Sequence, residues 1–290
     1  MATNTPFGQR LGLVLEGGAM RGIYTAGVLD VFLEAGIMPD VVVGVSAGAL
    51  HGCSYVAGQK GRSIRYYRKY RSDKHFMGLY SLLTTGDVVG TKFCYEDIPL
   101  RLDPFDEAAF EKAPVDFYVT VTNVRTGKPE YILCDELKVG SKMDVIRAGA
   151  SMPLCSKMVE WNGNLYLDGG VSDSIPYAKM KDFGCRKSIV VLTQPAGYLK
   201  QPAAMAPFEA MYRKYPAFVE AMRGRDQMYN TEVCAVEQAA KQGDVFLIRP
   251  SKFLHVGRME HDIEVLNAQY ELGRQDARNL MDAMREWMER

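Results

Sequence analysis

The chain has 290 residues, 47% of them apolar, enough to bury one large α/β core or two small ones without disulfides or a structural metal. Lys plus Arg and Asp plus Glu both number 35, so the formal charge is zero and no overall field draws in nucleic acid or an anionic membrane. Six scattered cysteines, Cys53, Cys94, Cys134, Cys155, Cys185 and Cys234, form no CxxC pair, which argues against a disulfide framework or zinc site and fits a reducing cytoplasm.

The first ten residues lack an apolar core of signal-peptide length, and nowhere do about 18 uncharged apolar residues run together, so neither secretion nor a membrane span is expected. Residues 11–15, LGLVL, predict a strand ending in a glycine cluster, and 23–35 a helix. VVVGVS at 41–46 reads as a buried strand with a second helix starting after Ser46, which completes a βαβα unit with parallel strands. The middle of the chain is less regular. Residues 116–124 and 129–133 alternate as a hairpin around the turn RTGK, 143–153 read as a short helix, and 164–170 as a strand running into a tight turn. SIVVLT at 188–193 is another buried strand, residues beyond Pro202 become helical, 244–250 give one more strand, and about thirty helical residues follow. The expected fold is a single compact α/β domain with a helical C-terminal extension, in which 181–290 complete the sheet and add helices without forming an independent domain.

GVSAG at 44–48 is a G-x-S-x-G sequence at a strand end and a helix start. Gly44 and Gly48 let the strand turn sharply, so that the Ser46 hydroxyl stands above the sheet at a helix N-terminus that favours negative charge. Taken alone, the pattern is equally a serine-capped turn. EGGAMRG at 16–22 puts Gly17, Gly18, Ala19, Arg21 and Gly22 at another strand-to-helix turn, whose backbone N–H groups can face Ser46 across one crossover. Gly17 and Gly22 also bracket a spacing used for dinucleotides, but Ser46 ends the second strand where a ribose-binding acid would be needed. Asp168, followed by Gly169 and Gly170, ends a strand and is suited to face a crevice, though an Asp there also simply starts a turn. Of the four histidines, His51 is expected to pack in the core and His75 lies in a basic, tyrosine-rich stretch. His255 would complete a Ser-Asp-His chain order with Ser46 and Asp168, and His261 is the fourth.

Together, EGGAMRG, GVSAG and DGG resemble the patatin-like phospholipase family, over roughly residues 11–176. The resemblance implies Ser46 as nucleophile, Asp168 as its base without a histidine, and the N–H groups around Gly17, Gly18 and Ala19 as an oxyanion hole braced by Arg21. Ala19 stands where the family often has a third glycine. It further implies a three-layer α/β/α fold with a mostly parallel central sheet, a catalytic domain over 11–180, and a serine hydrolase of lipid acyl esters that needs no cofactor and touches a membrane surface transiently; with no His/Cys/carboxylate cluster at ligand spacing no metal is expected, and the cysteines fit the cytoplasm. Met205, Phe208, Met211, Tyr212, Phe218 and Met222 are expected either to line an acyl groove or to pack an ordinary core. The remaining alternatives are a hydrolase with a His255 triad and a non-catalytic lipid-binding protein of the same fold.

Overall fold

The computed structural model describes residues 6–257 and 259–290. β1 (Arg10–Leu15), α1 (Ile23–Glu34), β2 (Val41–Val45) and α2 (Ala47–Val56) form the opening unit, with β1 and β2 parallel from Gly12 opposite Val41 to Leu15 opposite Gly44. Every β2 residue is buried, as its unbroken apolar run requires of a strand covered on both faces.

Residues 62–112, where the sequence shows no regular pattern, are largely helical. They hold α3 (Arg62–Tyr70), α4 (Leu79–Thr85), a π-helical stretch over Phe93–Leu102 that contains Pro99, and α5 (Glu107–Lys112). α3 buries Tyr66, Tyr67 and Tyr70 and turns Arg65, Arg68 and Lys69 to solvent. β3 (Asp116–Asn123) and β4 (Pro129–Leu133) form the expected hairpin. α6 (Met143–Gly149) stops four residues short of the predicted end, because the chain unwinds there and the Ser151 carbonyl accepts the Asp168 N–H at 2.9 Å.

β5 (Val159–Trp161) and β6 (Asn164–Asp168) pair across Asn162 and Gly163, both at positive φ, the turn that Asn-Gly favours. β7 (Cys185–Val191), α7 (Ala206–Met211), α8 (Pro216–Arg223), α9 (Arg225–Gln242), β8 (Val245–Ile248) and α10 (Ile263–Glu289) follow. α10 crosses α1 with almost no gap: a methyl on Gly27 would lie 2.1 Å from the Tyr270 carbonyl, and one on Gly273 2.1 Å from that of Tyr24. Tyr270 donates to Asp30 at 2.7 Å across this contact.

Among the described residues eight strands form one sheet with hydrogen-bonded order β5-β6-β3-β2-β1-β7-β8 and β4 on β3. β1, β2, β3, β7 and β8 pair in parallel, and the β4, β5 and β6 pairings are antiparallel. One face packs Leu13 and Leu15 against Phe32 of α1, Cys53 of α2 and Met284 of α10; the other packs Val14, Val41 and Val43 against Tyr229 and Val236 of α9. β4 pairs with residues 118–122 of β3 and overlaps both other partners, so β2 and β6 must share the opposite edge. β2 ends there with Val45 opposite Thr120, and β6, running the other way, ends with Asp168 opposite Val121.

Candidate active site

This head-to-head arrangement brings Ser46 to Asp168. The Ser46 hydroxyl donates to Asp168 Oδ2 at 2.6 Å across 122 residues of chain. Ser46 takes φ 53° and ψ −124°, a strained conformation for a residue with a Cβ. The strain follows from a turn without spare room, since a methyl on Gly44 would lie 2.5 Å from Ala49 Cα and one on Gly48 2.3 Å from the Leu15 carbonyl.

Asp168 is fixed on every side. Its Oδ1 accepts the Gly170 N–H at 2.8 Å, and its carbonyl accepts the Thr122 hydroxyl at 2.8 Å. A methyl on Gly169 would lie 2.2 Å from the Thr120 carbonyl, so the turn sits directly on β3. Burial pushes the Asp168 carboxyl above its usual range, partly offset by the Ser46 hydroxyl, the Arg225 guanidinium and the Gly170 N–H. Arg225 also donates to the Gly170 carbonyl at 2.5 Å.

The glycine turn after β1 packs against Ser46 and shares a cavity with it and Asp168. The Gly17 and Gly18 N–H groups have no partner among the described residues, and Ala19 is held at φ 49°. Gly22 meets Ala47, where a methyl would stand 2.6 Å from Ala47 Cβ. Glu16, outside the expected site residues, anchors this turn: its Oε2 accepts the Thr193 N–H at 2.5 Å, just past β7. Burial raises the Glu16 carboxyl, against the Thr193 N–H, the Tyr229 hydroxyl and the charges of Lys200 and Arg21. A charged residue directly behind a buried strand and ahead of the glycines was the available signal for Glu16. Arg225, Lys200 and Tyr229 lie more than thirty positions past Asp168 with no local motif to mark them.

Two cavities meet at Ala19, Ser46 and Met152. One, of about 110 Å³, is mostly apolar and lies among α2, α3, the π-helical stretch and α6. The other, of about 160 Å³, is lined by Glu16, Arg21, Asp168, Lys200 and Arg225. The C-terminal apolar residues are distributed otherwise than a groove would need. Phe208 and Met222 reach the polar cavity, Tyr212 and Phe218 are core, and Met211 is exposed, so the apolar cavity draws on earlier helices instead.

His255 is exposed, stands edge-on to Phe253 and lines neither cavity. His51 is buried with neither ring nitrogen hydrogen-bonded, and burial lowers it to about 3. Among the described residues no group of three or more His, Cys, Asp or Glu side chains is placed to hold a metal ion, and no helix is long and apolar enough to cross a membrane.

Residues 13–180 match the model of the family described as Patatin-like phospholipase, and residues 215–289 that of a domain of unknown function, DUF6363. The "Uncharacterized protein YjjU" of Escherichia coli (strain K12) is 28% identical over 273 residues, 91% of this chain and 75% of that protein. "Lysophospholipase nte1" of Aspergillus terreus is 30% identical over 182 residues, 61% of this chain but 11% of the longer protein. The crystal structure of VipD from Legionella pneumophila aligns with a TM-score of 0.47 at 13% identity, over 96% of this chain and 67% of that one. On the family match, over more than half its length, the chain belongs to the patatin-like phospholipase family, a family of lipid acyl hydrolases.

Proposed function

We propose that the protein hydrolyses lipid acyl esters through a Ser46–Asp168 dyad and an acyl-enzyme. Asp168 takes the proton as Ser46 Oγ attacks the ester carbonyl, and the oxyanion forms against the N–H groups of Gly17, Gly18 and Ala19, with Arg21 bracing that turn. Collapse of the tetrahedral intermediate breaks the ester bond, and the leaving alkoxide takes the proton from Asp168. Water, deprotonated by Asp168, then attacks the acyl-enzyme and frees the acid while the proton returns to Ser46. The observation that carries this reading is the 2.6 Å Ser46–Asp168 hydrogen bond at a strained turn where an apolar and a polar cavity meet.

The apolar cavity suits the acyl chain, and the cavity with Arg21, Lys200 and Arg225 suits the leaving alcohol and its polar substituents. The approach is by way of a lipid surface. Leu79 and Leu83 of α4 are 70% and 76% exposed, with Tyr80 and Leu82 also open, and Lys74 Nζ stands 4.5 Å from the Tyr80 ring centre. Met77 and Val89, which bridge the base of this excursion, both line the apolar cavity, so a chain drawn from lipid would pass directly beneath α4.

A fluorophosphonate probe tests the mechanism. Rapid labelling lost in Ser46→Ala is the expected result, and a folded wild-type protein left unlabelled would leave the non-catalytic lipid-binding reading in its place.

A further inference from the structure

The apolar cavity has a direction. Its lining from the N-cap and body of α2 is Ser46, Ala47, Leu50 and Cys53, one face of that helix, and the seven steps from Ser46 to Cys53 span about 10 Å at the rise of an α-helix. Leu50, Ile98, Met143 and Ile146 give it apolar walls.

Its far end is of another kind. Arg62, at the start of α3, lines the cavity with a side chain only 7% exposed. Its Nη1 donates to Ser54 Oγ at 3.2 Å and its Nη2 to the Asp103 carbonyl at 2.9 Å, while Nε stands 3.6 Å from Asp103 Oδ1 with no hydrogen bond. The guanidinium carbon also lies 5.4 Å from the Phe105 ring centre and 5.6 Å from that of Tyr66, both lining residues. Ser54 is eight residues beyond Ser46 on α2, which sets this charged wall one helix face away from the Cys53 end of the cavity. A guanidinium tied at two nitrogens and packed on two rings does not swing aside, and pressing methylenes on it strips solvation from a charge already short of one partner.

We infer that the cavity is a ruler selecting acyl chains of about eight carbons, since an extended chain advances roughly 1.2 Å per bond, judged from a peptide's three bonds per residue. The inference rests on Ser46 as the acylated residue. Up to the wall each added methylene raises affinity about fourfold, and past it the gain stops.

The test is the rate at which alkyl fluorophosphonates of two to sixteen carbons, each below its micelle concentration, label the full-length protein. The expected profile rises to about eight carbons and falls at least tenfold by sixteen. Leu50→Phe, halfway along the cavity, should move the optimum at least two carbons shorter, and Phe105→Ala should move it longer; Leu50→Phe still reads the ruler if Phe105→Ala fails to fold. A rate that climbs through sixteen carbons, or one that is flat, overturns the ruler while leaving the nucleophile in place. An optimum that stays put in a folded Leu50→Phe protein also overturns it. No labelling at any length overturns the hydrolase reading itself, and the ruler with it.

Discussion

Gly17 and Ser46 are packed so closely that a methyl on Gly17 would stand 2.7 Å from Ser46 Cβ and 3.0 Å from the Val45 carbonyl. The glycine turn is thereby pressed onto the residue whose intermediate it is proposed to stabilise. Gly17→Ala must push the two apart, and Gly18→Val must displace Thr193, whose Oγ1 would lie 2.7 Å from the new Cβ. Losing one backbone donor costs about 10²- to 10³-fold in kcat, with KM little changed where the contact forms only as charge develops. Wild-type kcat in a folded Gly18→Val protein would show that this turn does not hold the oxyanion.

Replacing either member of the hydrogen-bonded pair should be far more damaging. Ser46→Ala and Asp168→Asn are each expected to lower kcat by about 10⁴-fold or more, and the double variant to be no worse than the poorer single one, because the two act as a unit. Circular dichroism should show the fold retained, and additive losses in the double variant would argue against a shared proton transfer.

The pH profile follows from the environment of Asp168. The carboxylate must be unprotonated to accept the Ser46 proton, and burial raises its pKa, so the rate should fall as pH drops through a value above the ordinary carboxylate figure of about 4. Lys200 and Arg225 pull that pKa down, so Lys200→Gln should move the acid limb to higher pH. A limb that stays in place, or moves lower, contradicts the assignment of Asp168 as the base.

The histidines are expected to matter for stability rather than for rate. His255→Ala should keep most activity, and dialysis against EDTA should change nothing. His51 is held neutral in the fold down to about pH 3, whereas in the unfolded chain it takes up a proton below about 6.5. The unfolded state then binds more protons between these values, so stability falls as pH drops from 6.5, by about 2 kcal/mol at pH 5 from this group alone. His51→Leu should remove that part of the acid sensitivity, read as the change in denaturation midpoint between pH 7 and pH 5.

Leu79→Asp with Leu83→Asp should lower hydrolysis of vesicle-borne lipid at least tenfold and leave a dissolved short-chain ester unaffected. Equal losses on both substrates would place the effect in the fold instead of at a lipid surface.

Much of this was readable from the chain, for identifiable reasons. Gly12 to Leu15 and VVVGV are buried on both sheet faces and stay apolar without interruption, and the glycines behind them stand where no Cβ fits, so the opening unit and both turns announce themselves. Residues 62–112 did not. Their helices are short, one is π-helical with an internal proline, and α4 leaves leucines in the open, so hydrophobic period carries little signal there. β5 lies outside the elements expected from the sequence, although Asn162-Gly163 is a plain hairpin signal. The apolar cavity lies away from the C-terminal methionines, because a cavity is assembled by tertiary packing that no local spacing records.

The meeting of β2 and β6 on one edge of β3 makes that strand a vernier for the chemistry. Ser46 and Asp168 are positioned by counting residues along a common neighbour, in steps of roughly 3.3 Å. One residue inserted into β2 or β6 would carry its side chain past hydrogen-bonding reach and turn it to the opposite face of the sheet. Loops elsewhere in the chain can lengthen at small cost, but these two strands tolerate no change in length.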